Sequence, residues 1–182
     1  ASVENGVDDG ALVRALPNIE ISFLPAGEDG VQHTLLNGVD VEREIRDMRV
    51  SSLVSPVAAI PEVRKHLTRL QQEYGRQKGI VMDGRDIGTT VFPDAEMKVF
   101  VNASPEVRAR RRVLELEQKG SRVDYEDVLK NIRERDHIDT TRKESPLCRA
   151  ADAYLLDNDK MTIPEQMDWL VNLYQKIAGS EN

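Results

Sequence analysis

Gly79-Ile80-Val81-Met82-Asp83-Gly84-Arg85-Asp86-Ile87-Gly88-Thr89 changes character halfway along. A short apolar run bounded by Gly79 and an Asp-Gly pair reads as a buried parallel strand. It gives way at once to acid, glycine, arginine and acid, at the carboxyl end of the strand, where open α/β sheets hold their ligands. Gly84 and Gly88 let backbone approach a ligand closely. Arg85 can fork a phosphate. Asp86 can accept from an exocyclic amine, as aspartate does from the N4 amine of cytosine. Taken alone, the same residues also fit an Asp-Gly turn with an Arg–Asp pair on its surface.

Working outward, Met97–Val101 and Ala153–Leu156 are two more apolar runs of strand length. Helical patterns separate them. Ser104-Pro105-Glu106 is a cap-and-start signal for a helix through Glu117, and Asp124 caps another to about His137. Thr162 and Glu165 open a last amphipathic helix, with Ile163, Met167, Leu170, Val171 and Tyr174 expected inward. Strands alternating with helices predict an α/β fold with a parallel sheet. Upstream, Asp8 or Asp9 caps a short run stopped by Pro17. Ile19–Leu24, Thr34–Leu36 and Val39–Val41, with the hairpin signal Asn37-Gly38, predict a small inserted antiparallel sheet. Glu42–Val57 reads as mostly helical with a break near Ser55-Pro56. A longer helix should run from Pro61 to about Lys78, stopped by Gly79, with Val63, Leu67 and Leu70 as its apolar stripe.

The chain has 182 residues, 40% apolar and 31% charged, which fits one globular domain over 1–182. Aromatics at 4% and a net charge of −7 argue against a nucleic-acid partner. Cys148, the single cysteine, excludes an intramolecular disulfide and any multi-cysteine zinc site, and fits a reducing, cytoplasmic compartment. His33, His66 and His137 show no metal-ligand spacing. No apolar run approaches the length of a membrane span, and no secretory signal is visible. Of the 25 basic residues 17 are Arg, and nine of those fall within 105–149. That segment reads either as a salt-bridged helix pair or as an element that handles small phosphorylated ligands.

Two further stretches carry candidate chemistry. In Arg133–Arg142 the spacing i, i+4, i+7 sets Arg135, Asp139 and Arg142 on one helical face, where two cations flanking an anion could hold a phosphate and a ribose hydroxyl. The same residues could be an ordinary exposed ion pair. In Ser55–Arg64 a hydroxyl and a guanidinium stand near a helix start, which also fits a cap and a surface arginine. Asp157-Asn-Asp159 follows a predicted strand and could approach a nucleotide base, although a plain turn explains it as well.

In this order the stretches resemble the bacterial cytidylate kinase (CMP kinase) family, among the nucleoside monophosphate kinases. The resemblance runs through essentially the whole chain. Its most specific parts are Leu36-Asn-Gly-Val-Asp-Val41, Glu44-Ile-Arg46, Ser55-Pro-Val-Ala-Ala59, Asp83–Thr89, Val91-Phe-Pro-Asp-Ala95, Arg135-Asp136 and Ala151-Asp-Ala153. It implies a P-loop kinase-like parallel sheet core flanked by helices, a monophosphate-binding lobe over 17–64 and an Arg-rich lid over 106–142. It implies phosphoryl transfer from ATP, with Mg²⁺, to CMP or dCMP, by a cytoplasmic monomer. Carried over residue by residue, Ser55, Arg64 and Asp86 would read cytosine. Arg85 and Arg142 would grip the acceptor phosphate, and Arg135 and Asp139 would hold the ribose and support the transfer site. Arg111 and Arg112 match lid positions near ATP.

The family also begins with a strand, a Gly-rich phosphate loop ending in Gly-Lys-Ser/Thr, and a helix. No G-x-x-x-x-G-K-[ST] occurs in these 182 residues. The expectation is therefore a longer protein whose first βα unit precedes Ala1, since that loop cradles the β-phosphate. The alternative is a non-catalytic CMP-binding module or an inactive fragment.

Overall fold

The computed structural model describes residues 8–27, 30–76, 78–118 and 120–179. They fall into two units, one up to Leu70 and one from Gln71 onward.

In the first unit the Asp8 carboxylate accepts from the Ala11 N–H at 3.0 Å and caps α1 (Asp9–Ala15). Pro17 stands in the 3₁₀ turn that follows, where a missing N–H costs nothing. The expected insert is present: β1 (Ile21–Phe23), β2 (Thr34–Leu36) and β3 (Val39–Asp40) pair antiparallel in that order. Asn37 at φ 50° and Gly38 at φ 78° form the tight turn that sets Leu36 opposite Val39. Glu42 ties this sheet to the next segment, accepting from Thr34 Oγ1 at 2.9 Å and Arg46 Nε at 2.9 Å. These bonds, Arg46 first and then Thr34, hold its carboxyl below the usual glutamate range.

The break expected near Ser55-Pro56 falls earlier. Asp47 is extended and caps α2 (Met48–Ala58) by accepting from the Arg49 N–H at 2.7 Å. Pro56 lies inside the last turn of α2, where the helix ends two residues later and only one backbone bond is lost. α3 (Pro61–Gly75) buries Val63 and ends three residues before Lys78. Lys78 and Gly79 both take left-handed backbone, at φ 60° and 65°.

In the second unit β4 (Val99–Asn102) and β5 (Tyr154–Asp157) pair in parallel, with Val99 opposite Tyr154 and Asn102 opposite Asp157. Between them α4 (Pro105–Gln118) and α5 (Tyr125–Thr141) form a helical hairpin around Ala109, Val128 and Leu129. Asp124 caps α5 through the Glu126 and Asp127 N–H groups. The helix runs four residues past His137, and just before His137 the guanidinium of Arg108 on α4 grips Asp136 at 2.9 and 2.5 Å. α6 (Ile163–Ala178) starts with the expected capping box of Thr162 and Glu165.

Two expectations fail. Residues 79–82 form no strand. The run is apolar enough, but among the described residues no ladder partner bonds to it, and Val81 is fully exposed. Apolar patterning reports which faces want burial; pairing also needs a neighbouring edge. The inward face of α6 is also rotated from the one expected. Ile163, Met167, Val171 and Tyr174 are exposed, whereas Leu173 is buried and Trp169 and Leu170 are half-buried. Gln166 also turns inward on the first turns of α6, its amide accepting from Asn158 Nδ2 at 3.1 Å and donating to the Met161 carbonyl at 3.3 Å. No helix among the described residues is long and apolar enough to cross a membrane.

Candidate active site

Beyond the 79–82 segment, Asp86 opens a single π-helical turn, Ile87–Val91. The N–H groups of Thr90, Thr89 and Val91 converge on the Asp86 carbonyl at 2.8, 3.3 and 3.3 Å. Such turns are uncommon and frequently mark functional positions. The turn buries the Asp86 side chain, leaving the residue 2% exposed, while Arg85 beside it stays half exposed.

Arg85 reaches α5: its Nε donates to Asp139 Oδ2 at 3.0 Å. Asp139 also faces Arg142, whose Nη1 lies 3.5 Å from Oδ1. Both Asp139 and Arg142 are buried, with side chains 4% and 3% exposed. Arg142 is the C-cap of α5 in extended conformation, so it does not share a helical face with Arg135 and Asp139 as the spacing implied. Its side chain folds back instead, with Nε donating to the Ser145 carbonyl at 2.8 Å. Its Nη2 is buried with no hydrogen-bond partner among the described residues.

Arg135 completes the group. It is half-buried, and burial followed by repulsion from Arg85 pushes its pKa down, with Arg112 adding to the repulsion. Burial and then Arg85 likewise depress Arg142, against the pull of Asp139. Guanidinium groups stay charged at any ordinary pH. The depression therefore reflects burial first, with the mutual repulsion of neighbouring guanidinium groups added to it, and a group of cations held partly out of water suits an anion.

Two further candidates, Arg111 and Arg112, lie on α4. Arg111 is engaged by Asn158, donating to its carbonyl at 2.7 Å and its side-chain oxygen at 3.1 Å. Asn158 is itself buried. Arg112 pairs with Glu115 at 2.7 Å on its own helix while facing Arg135. Ser55, buried in α2, and Arg64, on α3, belong to the first unit. The structure therefore gathers Arg85, Arg112, Arg135, Asp139 and Arg142, sets Asp86 beside Arg85, and leaves Arg111 elsewhere.

Two interactions had no role in the sequence reading. One is the Arg108–Asp136 fork, with Arg108 Nε also donating to the Ala103 carbonyl at 3.0 Å. The other is the ammonium of Lys98, buried against Asp152 at 2.6 Å. A charge inside the apolar run 97–101 was the available signal for Lys98.

A parallel pair whose neighbouring loop and helices converge arginines around one buried carboxylate defines an α/β protein built to hold phosphorylated ligands. Comparison with known proteins gives the particular family. The cytidylate kinase family model matches residues 4–176. A cytidylate kinase of Parabacteroides distasonis is 58% identical over 93% of this chain and 74% of the relative. Those of Bacteroides fragilis and Porphyromonas gingivalis are 54% and 52% identical, each over 96% of this chain and over 79% and 76% of the relative. The chain belongs to the cytidylate kinase family, and with it to the nucleoside monophosphate kinases and the P-loop kinase fold.

Proposed function

We propose that the protein transfers the γ-phosphoryl group of ATP to CMP or dCMP, giving CDP or dCDP and ADP. The observation that carries this reading is the arginine group around Asp139, in a chain of this family. Phosphoryl transfer asks for positioning and charge neutralisation more than covalent chemistry. Arg85 and Arg142 grip the acceptor phosphate, Arg85 through the nitrogens that Asp139 does not take and Arg142 through its unpartnered Nη2. Arg135 supports the transferring group, and Asp139 takes ribose hydroxyls while keeping its neighbours aligned. Asp86, with Ser55 and Arg64, reads cytosine: a carboxylate accepts from the N4 amine and a guanidinium donates to the ring acceptor. Uracil presents a carbonyl where the amine stood, which leaves buried polar groups unpaired at about 1–3 kcal/mol each.

In this reading residues 17–64 are the monophosphate lobe and 106–142 the lid. Arg112 already faces the arginine group, and Arg111 would exchange Asn158 for ATP on closure. Mg²⁺ travels with ATP, held largely by phosphate oxygens and water. Asp139, the one carboxylate central to the group, is already engaged by two arginines. The partners are the two nucleotides alone, met by a cytoplasmic monomer.

Steady-state kinetics with CMP, dCMP, UMP and ATP test the proposal. Asp86→Ala should raise KM for CMP far more than for ATP, and equal effects on both would remove Asp86 from base reading. Arg85→Ala should lower kcat/KM by about 10²-fold. Calorimetric CMP binding with no turnover in the wild-type protein would leave a nucleotide-binding module and overturn the kinase.

A further inference from the structure

Lys98 is a buried cation outside the arginine group, its side chain 8% exposed. Its ammonium donates to the Pro93 carbonyl and to Asp152 Oδ2, the latter at 2.6 Å. Its methylenes lie beneath Gly88, where a Cβ would meet Lys98 Cδ at 3.4 Å and Cγ at 3.5 Å. Gly88 belongs to the π turn that buries Asp86, and Pro93 follows that turn by two residues. One side chain thus supports the turn from below and ties down its exit. The anchor at the far end, Asp152, sits in a bend tightened by Arg149, which donates twice to the Ala153 carbonyl at 3.0 and 2.7 Å. That bend continues the segment whose Leu147 N–H is held by the Asp139 carbonyl at 2.7 Å. The contacts of Lys98 therefore join the loop of Arg85 and Asp86 to the chain leading away from Asp139 and Arg142.

A lysine beside an apolar run is not needed for packing, because methionine fills the same stem volume without a buried charge. We propose that Lys98 is a positioning residue for base recognition: its link to Asp152 fixes the loop that carries Asp86 and so sets the preference for cytosine over uracil. The inference rests on the base-reading role proposed above for Asp86.

Calorimetric titration with CMP and with UMP, alongside KM for ATP, tests it in four variants. Lys98→Met should cut the CMP-over-UMP affinity ratio at least fivefold while leaving KM for ATP within twofold. Asp152→Ala releases the same ammonium from an exposed position and should lower the ratio in the same direction. The double variant should be no worse than Lys98→Met, since both remove one link. Asp86→Ala serves as the reference and should abolish the preference. An unchanged ratio in folded Lys98→Met, or in Asp152→Ala should Lys98→Met not fold, with the preference lost in Asp86→Ala, overturns the positioning role alone. An unchanged ratio in Asp86→Ala overturns the base-reading role and the inference with it.

Discussion

Asp139 answers two guanidinium groups with one carboxylate, from a position almost closed to solvent. Removing its charge leaves Arg142 buried with only neutral acceptors among the described residues, the Ser145 carbonyl and an amide oxygen. Breaking a buried pair costs about 3–5 kcal/mol, and the half-exposed Arg85 brings the expectation to the low end. Asp139→Asn should therefore destabilise the free protein by about 3 kcal/mol in urea unfolding, and saturating CMP should restore part of the loss by supplying the missing anion. A loss below about 0.5 kcal/mol, the usual range for surface changes, would show that the pair is solvent-screened. These residues were legible in the sequence as a set, because an Arg-Asp-Arg series stands out among helical spacings. Their geometry was not. Arg142 reached Asp139 from beyond the helix end through a bond to Ser145, and a backbone acceptor three residues on leaves no trace in spacing.

Between elements, small contacts decide signs that propensity alone gets wrong. Gly75 ends α3, and alanine there would ordinarily gain up to about 1 kcal/mol. A Cβ at that position would lie 2.3 Å from Phe92 Cε1 and 2.5 Å from Cζ, just past the π turn. Overpacking of that kind costs about 1–3 kcal/mol. Gly75→Ala should therefore lower Tm, and a raised Tm would mean that the ring moves aside freely. In the antiparallel sheet, Glu42 holds Thr34 and Arg46 at once. Its carboxyl is depressed in the folded protein, so its contribution is complete above the ordinary glutamate value, about 4.3. It is lost as pH falls through the lower folded value. Glu42→Gln should thus lower Tm at neutral pH by more than it does at about pH 3. A constant difference across pH would assign the effect to shape alone. Elements with local signals, such as the Asn37-Gly38 turn, the Asp124 cap and the Thr162–Glu165 box, were readable in advance because a few adjacent residues determine each. The 79–82 strand and the inward face of α6 were not, because one depends on an edge and the other on packing partners that other chain segments supply.

Over the whole molecule, charge is segregated. The net charge is −7, yet residues 105–149 carry a small positive excess and hold the arginine-rich hairpin. An anionic nucleotide is repelled by most of the surface and drawn to one part of it. Salt screens that attraction, so the Kd for CMP should rise by about fivefold between about 50 and about 500 mM NaCl, whereas cytidine, which lacks the phosphate, should bind with little salt dependence. Equal responses of the two would place the phosphate away from the arginines. The exposed thiol of Cys148 adds a practical consequence. It is the only sulfhydryl in the sequence and sits next to Leu147, whose amide rests on the Asp139 carbonyl. Within these 182 residues a maleimide dye would therefore attach at one known place, one residue from the backbone that nucleotide binding should disturb. This stretch thus carries its own fluorescent reporter site for following ligand arrival in real time.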